Sequence, residues 1–398
     1  MCPVAGILGD SHACMNQQIL DHAYAPPTAR PIAAVLPLHV AVEATRLARE
    51  VRGIGRYVRA LLPRLVAQRP GLTLTLYVKR QRDIEFLTPS FSAPELAGRI
   101  RLGLVRDMTR CDADVFWFPW NTASPTPARG AIVTTVHDIV PIVHPDPRLR
   151  GWQKNFRWRR RYANTARRST LIMTVSQFTA DEVHRMLRVP YSRMRVARLA
   201  ADDFAAPAPA ALEALLDELG VTRPFVLAVG AADRRKNLAL LERAMPAVVA
   251  AIPDATLVLA GPRREVPAAL GEPWARTLGF VGEDQLAALY SAASVLVQPS
   301  TYEGFGLPVL EAMQLGTPVI ATQTSSLPEV AGDAALYVDP ENDVELAAMI
   351  TQIMTDPALA ARLRTESLAQ AARFSWAETA RQVIGTFEEA FALAGRKR

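Results

Sequence analysis

Cysteines and long apolar runs are scarce in this 398-residue sequence. Its three cysteines, Cys2, Cys14 and Cys111, have no zinc or disulfide spacing and are typical of a reducing compartment. No uninterrupted apolar run reaches the ~18 residues that a membrane-spanning helix needs. The amino terminus lacks the basic start of a secretory signal, and Asp10 interrupts its short apolar stretch. We therefore expect a cytoplasmic protein.

Basic residues concentrate in the first half of the chain. Residues 1–200 contain 30 Lys and Arg against 14 Asp and Glu, whereas residues 201–398 contain 15 against 25. The two balances are +16 and −10, although the whole chain carries only +6. This asymmetry predicts that the first half faces something anionic. A solvated, arginine-rich surface would give the same count.

Proline content and the alternation of strand and helix patterns divide the chain. Its length predicts two domains of roughly 100–200 residues each. We predict a disordered extension over residues 1–37, a first domain over 38–200, a Pro/Ala-rich linker over 201–211, a second domain over 212–375 and a final helix within 376–398. Because strands alternate with helices, each domain should be a doubly wound, Rossmann-like α/β unit with a parallel sheet. Ligands of such sheets bind beyond the carboxyl ends of the strands.

Buried strands are predicted where short apolar runs end at polar, Gly or Pro residues. In the first half these runs are 39–43, 72–79, 115–118, 132–136 and 171–175. In the second half they are 225–229, 255–260, 295–298 and 318–321.

The most informative segment runs from Ser300 to Pro318. Gly304 and Gly306 permit a tight loop, and Pro308 suits the first position of a helix, whose amino terminus favours phosphate. Two carboxylates, Glu303 and Glu311, flank this anion-binding end, and a carboxylate can accept both hydroxyl hydrogens of a sugar or ribose diol. An ordinary glycine loop with a glutamate at a helix start would explain Glu311, but not the whole constellation.

A second candidate site follows the strand that ends at Gly230. Arg235 and Lys236 place two cations at a strand-to-helix turn, which suits a diphosphate, and Asn237 is predicted to cap the next helix. A basic solvated turn would look the same. In the first half, the Gly53-Ile-Gly55 loop precedes a helix, and His137 ends a buried strand. Each of these has a purely structural alternative.

The segment from Ser300 to Pro318 resembles the Glu-x7-Glu signature of the retaining family-4 glycosyltransferases of the GT-B fold, also known as group 1 glycosyl transferases. The resemblance extends over about residues 38–395. It implies two domains facing a central cleft, with Glu303 on the donor sugar and Glu311 on the nucleotide ribose. The backbone amides of Gly304, Phe305, Gly306 and Leu307 would then serve the sugar and the diphosphate.

Other elements match this family less strongly. Arg235 and Lys236 resemble its diphosphate-binding pair, although Ala231 stands where many relatives have an arginine, so that either Arg234 or Arg235 replaces it. The resemblance also implies that Val281 cradles the base. Gly53 and Gly55 would face the diphosphate, and His137 would lie near the donor sugar. Asp112-Ala-Asp114 resembles a metal-binding triplet of other glycosyltransferases, but it precedes a strand, and we assign it a structural role.

The implied reaction is retaining transfer of a sugar, with mannose favoured, from a nucleotide-diphosphate sugar to a glycan or polyprenyl-linked acceptor. GDP-mannose is the favoured donor, and no metal or other cofactor is expected. Glu303 and His137 are the catalytic candidates, because they would stabilise an oxocarbenium-like state. The alternatives are a non-catalytic scaffold and a sugar-nucleotide epimerase or phosphorylase on the same fold.

Aromatic and basic residues interleave along the helix predicted near 152–168. The aromatic residues are Trp152, Phe156, Trp158 and Tyr162, and the basic ones are Lys154, Arg157, Arg159, Arg160, Arg161, Arg167 and Arg168. This mixture suits the headgroup region of an anionic membrane. We predict peripheral contact with the inner face of the cytoplasmic membrane through the first domain. No nucleic-acid-binding module is recognisable, so nucleic acid is not an expected partner.

Overall fold

In a computed structural model, the described residues are 36–50, 53–125, 127, 129–145, 151–201, 204–230, 234–261 and 272–395. Both sheets belong to the unit Pro37–Arg398. Most of the predicted extension, together with Ala231, lies outside the described residues. The side chain of Trp152 is likewise not described.

The first half of the described chain forms a seven-stranded parallel sheet in the order β3-β2-β1-β4-β5-β6-β7. Its strands are β1 (Leu38–Glu43), β2 (Leu72–Val78), β3 (Ile100–Leu104), β4 (Val115–Phe118), β5 (Ala131–Val136), β6 (Leu171–Thr174) and β7 (Met194–Val196). The helices are α1 (Ile54–Gln68), α2 (Gln81–Leu87), α3 (Val105–Met108), α4 (Val140–Val143), α5 (Gly151–Arg168) and α6 (Gln177–Leu187).

The second half forms a six-stranded parallel sheet in the order β10-β9-β8-β11-β12-β13. Its strands are β8 (Phe225–Val229), β9 (Thr256–Ala260), β10 (Ala275–Gly279), β11 (Val295–Gln298), β12 (Val319–Thr322) and β13 (Leu336–Val338). The helices are α7 (Pro209–Leu219), α8 (Leu238–Ala251), α9 (Glu283–Ala292), α10 (Leu307–Gln314), α11 (Leu327–Ala331), α12 (Asp343–Thr355), α13 (Pro357–Ala371) and α14 (Trp376–Gly395).

The last helix, α14, packs against the first sheet. The Phe387 ring lies edge-on to Trp117 of β4, with centroids 5.5 Å apart, and both side chains are fully buried. Thr379 Oγ1 donates a hydrogen bond of 2.7 Å to the carbonyl of Arg198. Glu388 accepts from Arg69 Nε at 2.7 Å, which ties the helix to the end of α1. These contacts join the end of the chain to its first half.

Three local predictions differ from the structure. Asn237 precedes α8 in the left-handed conformation (φ 49°), and its side chain does not cap the helix but donates to the carbonyl of Pro340 at 2.8 Å. Pro308 is the second residue of α10, not the first. The predicted linker also ends early, because α7 already begins at Pro209. No helix among the described residues is long and apolar enough to cross a membrane.

Candidate functional site

Glu303 lies in the loop between β11 and α10, at the carboxyl end of the second sheet. Its Oε1 accepts hydrogen bonds from Lys236 Nζ at 2.6 Å, Ser300 Oγ at 2.7 Å and Gln298 Nε2 at 2.8 Å. Burial alone would raise the pKa of this carboxyl, but the Lys236 cation, the Ser300 hydroxyl and Arg235 outweigh it and lower the pKa. Glu303 is therefore ionised at neutral pH, with a cation beside it.

The backbone around Glu303 is held by two serines that precede α11. The amide of Glu303 donates to Ser325 Oγ at 3.0 Å. Ser326 Oγ donates to the carbonyls of Glu303 and Phe305, at 2.9 and 2.8 Å. Gly306, the residue before α10, has a φ of 103°, a left-handed value that favours glycine. Hydrogen bonds within the second domain thus hold the loop over 303–306.

The two predicted cations approach Glu303 differently. Lys236 passes close to Gly230, where an added Cβ would lie 3.1 Å from Lys236 Cε and crowd it. Arg235 is half-buried, and its charge lowers the pKa of Glu303, whereas Arg234 is exposed. Of the two arginines left open by the sequence, Arg235 is therefore the one that faces the site.

Gly304 is the point at which the second domain touches the first. Its carbonyl accepts from Ser176 Oγ at 2.7 Å and from Thr179 Oγ1 at 3.1 Å, both at the start of α6. A Cβ on Gly304 would lie 2.0 Å from the carbonyl oxygen of His137, which no real side chain tolerates. The glycine thus lets the loop over 303–306, hereafter the donor-side loop, contact the strand ends of the first sheet directly.

Glu329 makes a second contact across the domains that the sequence did not reveal. Its Oε2 accepts from the amides of Gln177 at 2.7 Å and Phe178 at 3.3 Å, at the amino terminus of α6. Its Oε1 accepts from Arg198 Nε at 3.0 Å. A carboxylate of one domain therefore satisfies helix-end amides of the other. The local sequence carries no signal for this pairing beyond a glutamate at a helix start.

His137 follows β5 and is buried, with its amide donating to Asn121 Oδ1 at 2.6 Å. Because Nε2 lies 2.9 Å from the carbonyl of Pro119, that nitrogen must carry the proton, which leaves Nδ1 as an acceptor. Burial lowers the pKa of His137 to about 4, although the Pro119 carbonyl opposes this shift. A neutral imidazole does not repel a positively charged, oxocarbenium-like sugar.

Neutral burial of His137 makes the stability of the protein depend on pH. The pKa is about 4 in the folded state and about 6.5 when the chain is unfolded, so the unfolded state binds more protons between these values. The contribution of His137 to stability should be fully present well above pH 6.5 and should fall on acidification, by about 2–3 kcal/mol at pH 4.5. Denaturant midpoints at pH 7 and pH 4.5 should therefore differ less in His137→Gln than in wild type. Equal pH-dependent shifts of the denaturant midpoint in His137→Gln and wild type would show that His137 is not the cause of the acid destabilisation.

Glu311 lies on α10, almost fully buried, and is shared between the domains. Its Oε1 accepts from Arg56 Nη1 at 2.9 Å, and its Oε2 accepts from Tyr290 OH at 2.8 Å. The Arg56 guanidinium also lies over the ring of Phe204, 4.9 Å from its centroid. Each carboxylate oxygen can accept more than one hydrogen bond. Arg56 was not among the predicted site residues.

The remaining predicted residues are placed by their strands and loops. Gly55 is required by packing, because a Cβ there would lie 1.6 Å from the carbonyl oxygen of Glu50, and Gly53 precedes α1 with a φ of 57°. Val281 is buried just beyond β10, the outermost strand of the second sheet. Asp114 lies at the opposite ends of the strands, where its Oδ2 accepts from the amide of His39 at 2.8 Å. No cluster of metal-binding type occurs among the described residues.

The fold matches solved glycosyltransferase structures along nearly its whole length. Sucrose-phosphate synthase from Thermosynechococcus elongatus superposes with a TM-score of 0.66 at 20% identity, over 89% of this chain and 99% of that one. Anabaena Alr3699/HepE in complex with UDP and glucose superposes with a TM-score of 0.69 at 17% identity, over 88% and 100%. The predicted architecture of two facing Rossmann-like domains, the GT-B fold, is confirmed.

Sequence comparison leads to the same class of enzyme. Residues 51–204 match glycosyltransferase family 4, and residues 217–370 match the glycosyl transferases group 1. The O-antigen chain mannosyltransferase B of Escherichia coli is 35% identical over 276 residues, 64% of this chain and 70% of the relative. The serotype-specific mannosyltransferase WbdA of Escherichia coli is 30% identical over 286 residues, 68% of this chain but 33% of the relative. The chain belongs to the family-4, group 1 glycosyltransferases.

Proposed function

We propose that this protein transfers mannose from GDP-mannose, with retention of the anomeric configuration, to a glycan or a polyprenyl-linked glycan. The observation that carries the proposal is the buried ion pair between Lys236 and Glu303, in the loop that rests on His137 across the domains. The ionised carboxylate of Glu303, the cation of Lys236 and the neutral imidazole of His137 thus belong to one cleft. The mannosyltransferases among the relatives support the choice of sugar.

The main electrostatic task of the reaction is to stabilise the departing nucleoside diphosphate. Lys236 and the half-buried Arg235 are the cations of the second domain at this site, and the amino terminus of α10 adds backbone amides there. Glu303 forms an ion pair with Lys236, and a bound diphosphate would share the ammonium with that carboxylate. These groups can act without a metal ion, and we propose that the enzyme needs none.

Retention requires the acceptor to enter on the face from which the diphosphate leaves. Glu303 would bind hydroxyls of the transferred sugar through Oε2, because the hydrogen bonds from Lys236, Ser300 and Gln298 all go to Oε1. His137 would offer Nδ1 as an acceptor on the first-domain side. We assign no covalent nucleophile. In the proposed mechanism the bond to the diphosphate breaks through an oxocarbenium-like state while the acceptor oxygen bonds to the anomeric carbon on the same face, and the acceptor proton passes to the departing diphosphate.

Turnover of a donor panel tests the function. Purified protein would be incubated with GDP-mannose, GDP-glucose and UDP-glucose, with and without simple α-mannosides, in EDTA and then in Mg²⁺. We expect GDP release that is fastest with GDP-mannose and unchanged by EDTA, and an α-mannoside product by NMR. A β-linked product would contradict retention, and a strict Mg²⁺ requirement would contradict metal independence. An epimerised sugar nucleotide would indicate that the protein is an epimerase. Absence of turnover with every donor would indicate a non-catalytic scaffold.

Nucleotide affinity should depend on Glu311 more than on Glu303. Loss of a charge-assisted hydrogen bond to the ribose diol should raise the Kd of GDP about 10–150-fold in Glu311→Ala. Glu311→Gln retains an acceptor for Tyr290 and should lose less. Titration calorimetry with GDP measures both, and Glu341→Ala, an exposed glutamate in the same domain, is the control. Unchanged GDP affinity in Glu311→Ala would overturn the ribose assignment.

Membrane association is proposed on charge rather than on aromatic residues. On α5, Arg159, Arg160 and Arg161 are exposed, whereas Tyr162 is buried and Trp158 is half-buried. Phe156, 62% exposed, is therefore the one outward aromatic among the described side chains of the helix. Fewer aromatic side chains of α5 are exposed to a membrane than the sequence predicted. Arg159, Arg160 and Arg161 are nevertheless exposed, and they would meet the anionic headgroups.

Liposome co-sedimentation tests this surface. Each cation near an anionic membrane contributes about 1 kcal/mol, so Arg159/Arg160/Arg161→Glu should weaken binding about 100-fold or more. Binding of wild type should fall with added salt, because exposed charges are screened. The matched control reverses Arg82, Arg101 and Arg110, which are exposed near the opposite edge of the first sheet. Equal loss in both triple variants would show a response to net charge, and no wild-type binding at low salt would contradict membrane docking.

A further inference from the structure

Asp138 is a carboxylate of the cleft that neither the sequence nor the proposed mechanism has used. It follows His137 directly, beyond the carboxyl end of β5, and it is partly buried. Its Oδ1 accepts from the amide of Val140 at 3.1 Å, and its backbone carbonyl accepts from Tyr162 OH at 3.1 Å. Both bonds come from the first domain, so Asp138 is held by its own domain.

The side chain of Asp138 faces the donor-side loop. A Cβ built on Gly304 would lie 3.2 Å from the Cβ of Asp138, which brings the two residues into direct contact across the domains. The charges of Arg235 and Glu303, both of the second domain, act on the Asp138 carboxyl from the other side. Among the described residues, no hydrogen bond reaches its Oδ2. The oxygen is an unused acceptor in the same cleft as Glu303.

Burial and neighbouring charges act on the Asp138 carboxyl in opposite directions. Burial raises the pKa of its carboxyl, the Val140 amide and Arg235 lower it, and Glu303 raises it again, with a net upward shift. Two carboxylates and two cations, Arg235 and Lys236, therefore share the space between the sheets. A carboxylate in such a place accepts hydrogen bonds and cannot donate them, so its partner must bring a hydrogen. Sugar hydroxyls are partners of this kind.

We propose that Asp138 is a third carboxylate of the sugar site, and that its Oδ2 accepts a hydrogen bond from a hydroxyl of a hexose held between it and Glu303. This inference rests on the proposed function. The hexose is the transferred sugar of the donor or the terminal sugar of the acceptor, and the same chemistry recognises either. Asp138 then contributes to specificity, because a site built to bind a hydroxyl discriminates strongly against a sugar that lacks it.

The test compares Asp138→Ala, Asp138→Asn and wild type in three assays. These are the Kd of GDP, the Kd of GDP-mannose and the rate of mannosyl transfer to an α-mannoside. Asn is isosteric and keeps an acceptor for the Val140 amide, so it separates loss of charge from loss of fold, which thermal midpoints monitor. Asp107→Asn, an exposed aspartate at the far edge of the first sheet, is the control.

If the partner is the donor hexose, Asp138→Ala should bind GDP-mannose about 10–150-fold more weakly while its Kd for GDP changes less than about threefold. If the partner is the acceptor, both Kd values should stay unchanged, and transfer to the α-mannoside should fall by a similar factor. Asn should restore part of either loss. Unchanged transfer and binding, or equal weakening of GDP and GDP-mannose, would overturn the assignment. A wild type that binds neither ligand would contradict the proposed function itself, a result independent of the Asp138 variants.

Discussion

Replacement of Glu303 by alanine is expected to lower kcat for mannosyl transfer about 10–150-fold, with a smaller change in the Kd of GDP. The expected loss is that of a charge-assisted hydrogen bond to the sugar, about 1.5–3 kcal/mol. It should appear in kcat, because in the proposed mechanism the carboxylate would also face the positive charge that develops on the sugar in the transition state. Steady-state kinetics with GDP-mannose, together with GDP titrations, separate the two effects.

The ion pair with Lys236 adds a second consequence. Both side chains are largely buried, with 13% of Glu303 and 16% of Lys236 exposed. Breaking a buried pair from one side costs about 3–5 kcal/mol of stability, because a charge is left uncompensated. Glu303→Ala should therefore also melt earlier than wild type.

A double-mutant cycle separates catalysis from stability. If Lys236→Met is added to Glu303→Ala, the unpaired charge disappears and part of the thermal stability should return, whereas kcat should stay low. Glu303→Gln keeps an acceptor for Ser300 and Gln298 but leaves the Lys236 charge uncompensated, so it should also melt earlier than wild type, with reduced kcat. A kcat within about threefold of wild type in Glu303→Ala would exclude Glu303 from the sugar site.

The central strands of both sheets could be predicted because their sequences are continuous apolar runs. Val115–Phe118, Phe225–Val229 and Val295–Gln298 have the predicted bounds. The outer strands were missed, and their composition explains why. β3 and β10 contain arginine and glycine, and their exposed edges need no apolar pattern. Parallel pairing with the neighbouring strand defines them, and that pairing is not visible in the local sequence.

The site was predictable where one short segment carries several groups, as between Glu303 and Glu311. It was not predictable where the partner is distant in sequence. Arg56 pairs with Glu311 across 255 positions, and no local pattern reports such a pairing. Asn237 shows the converse case, in which a residue typical of a helix cap is drawn to the Pro340 carbonyl by tertiary packing. The local sequence thus identifies candidate site residues, whereas the tertiary structure determines which residues they contact.

Gly304→Ala is expected to lower kcat/KM by about 100-fold or more, the larger of the two effects on activity. An added Cβ would lie 2.0 Å from the His137 carbonyl oxygen, which belongs to the backbone and cannot turn away. The loop that carries Glu303 must then move by roughly 1 Å, and displacement of this size at a reacting centre can cost 10²-fold in rate. The carbonyl of Gly304 would also lose its bonds to Ser176 and Thr179.

Two variants isolate the steric cause. Ser176→Ala removes one hydrogen bond to the Gly304 carbonyl without adding bulk, and it should lower kcat/KM far less than Gly304→Ala does. Gly385→Ala places the same methyl group within α14, where nothing lies within 4 Å, and should leave activity unchanged while stabilising the helix by about 0.5–1 kcal/mol. GDP affinity should survive in Gly304→Ala, because Glu311 lies on α10 beyond the displaced loop. If Gly304→Ala retains kcat/KM within about threefold of wild type, close contact between the donor-side loop and His137 is not needed for catalysis.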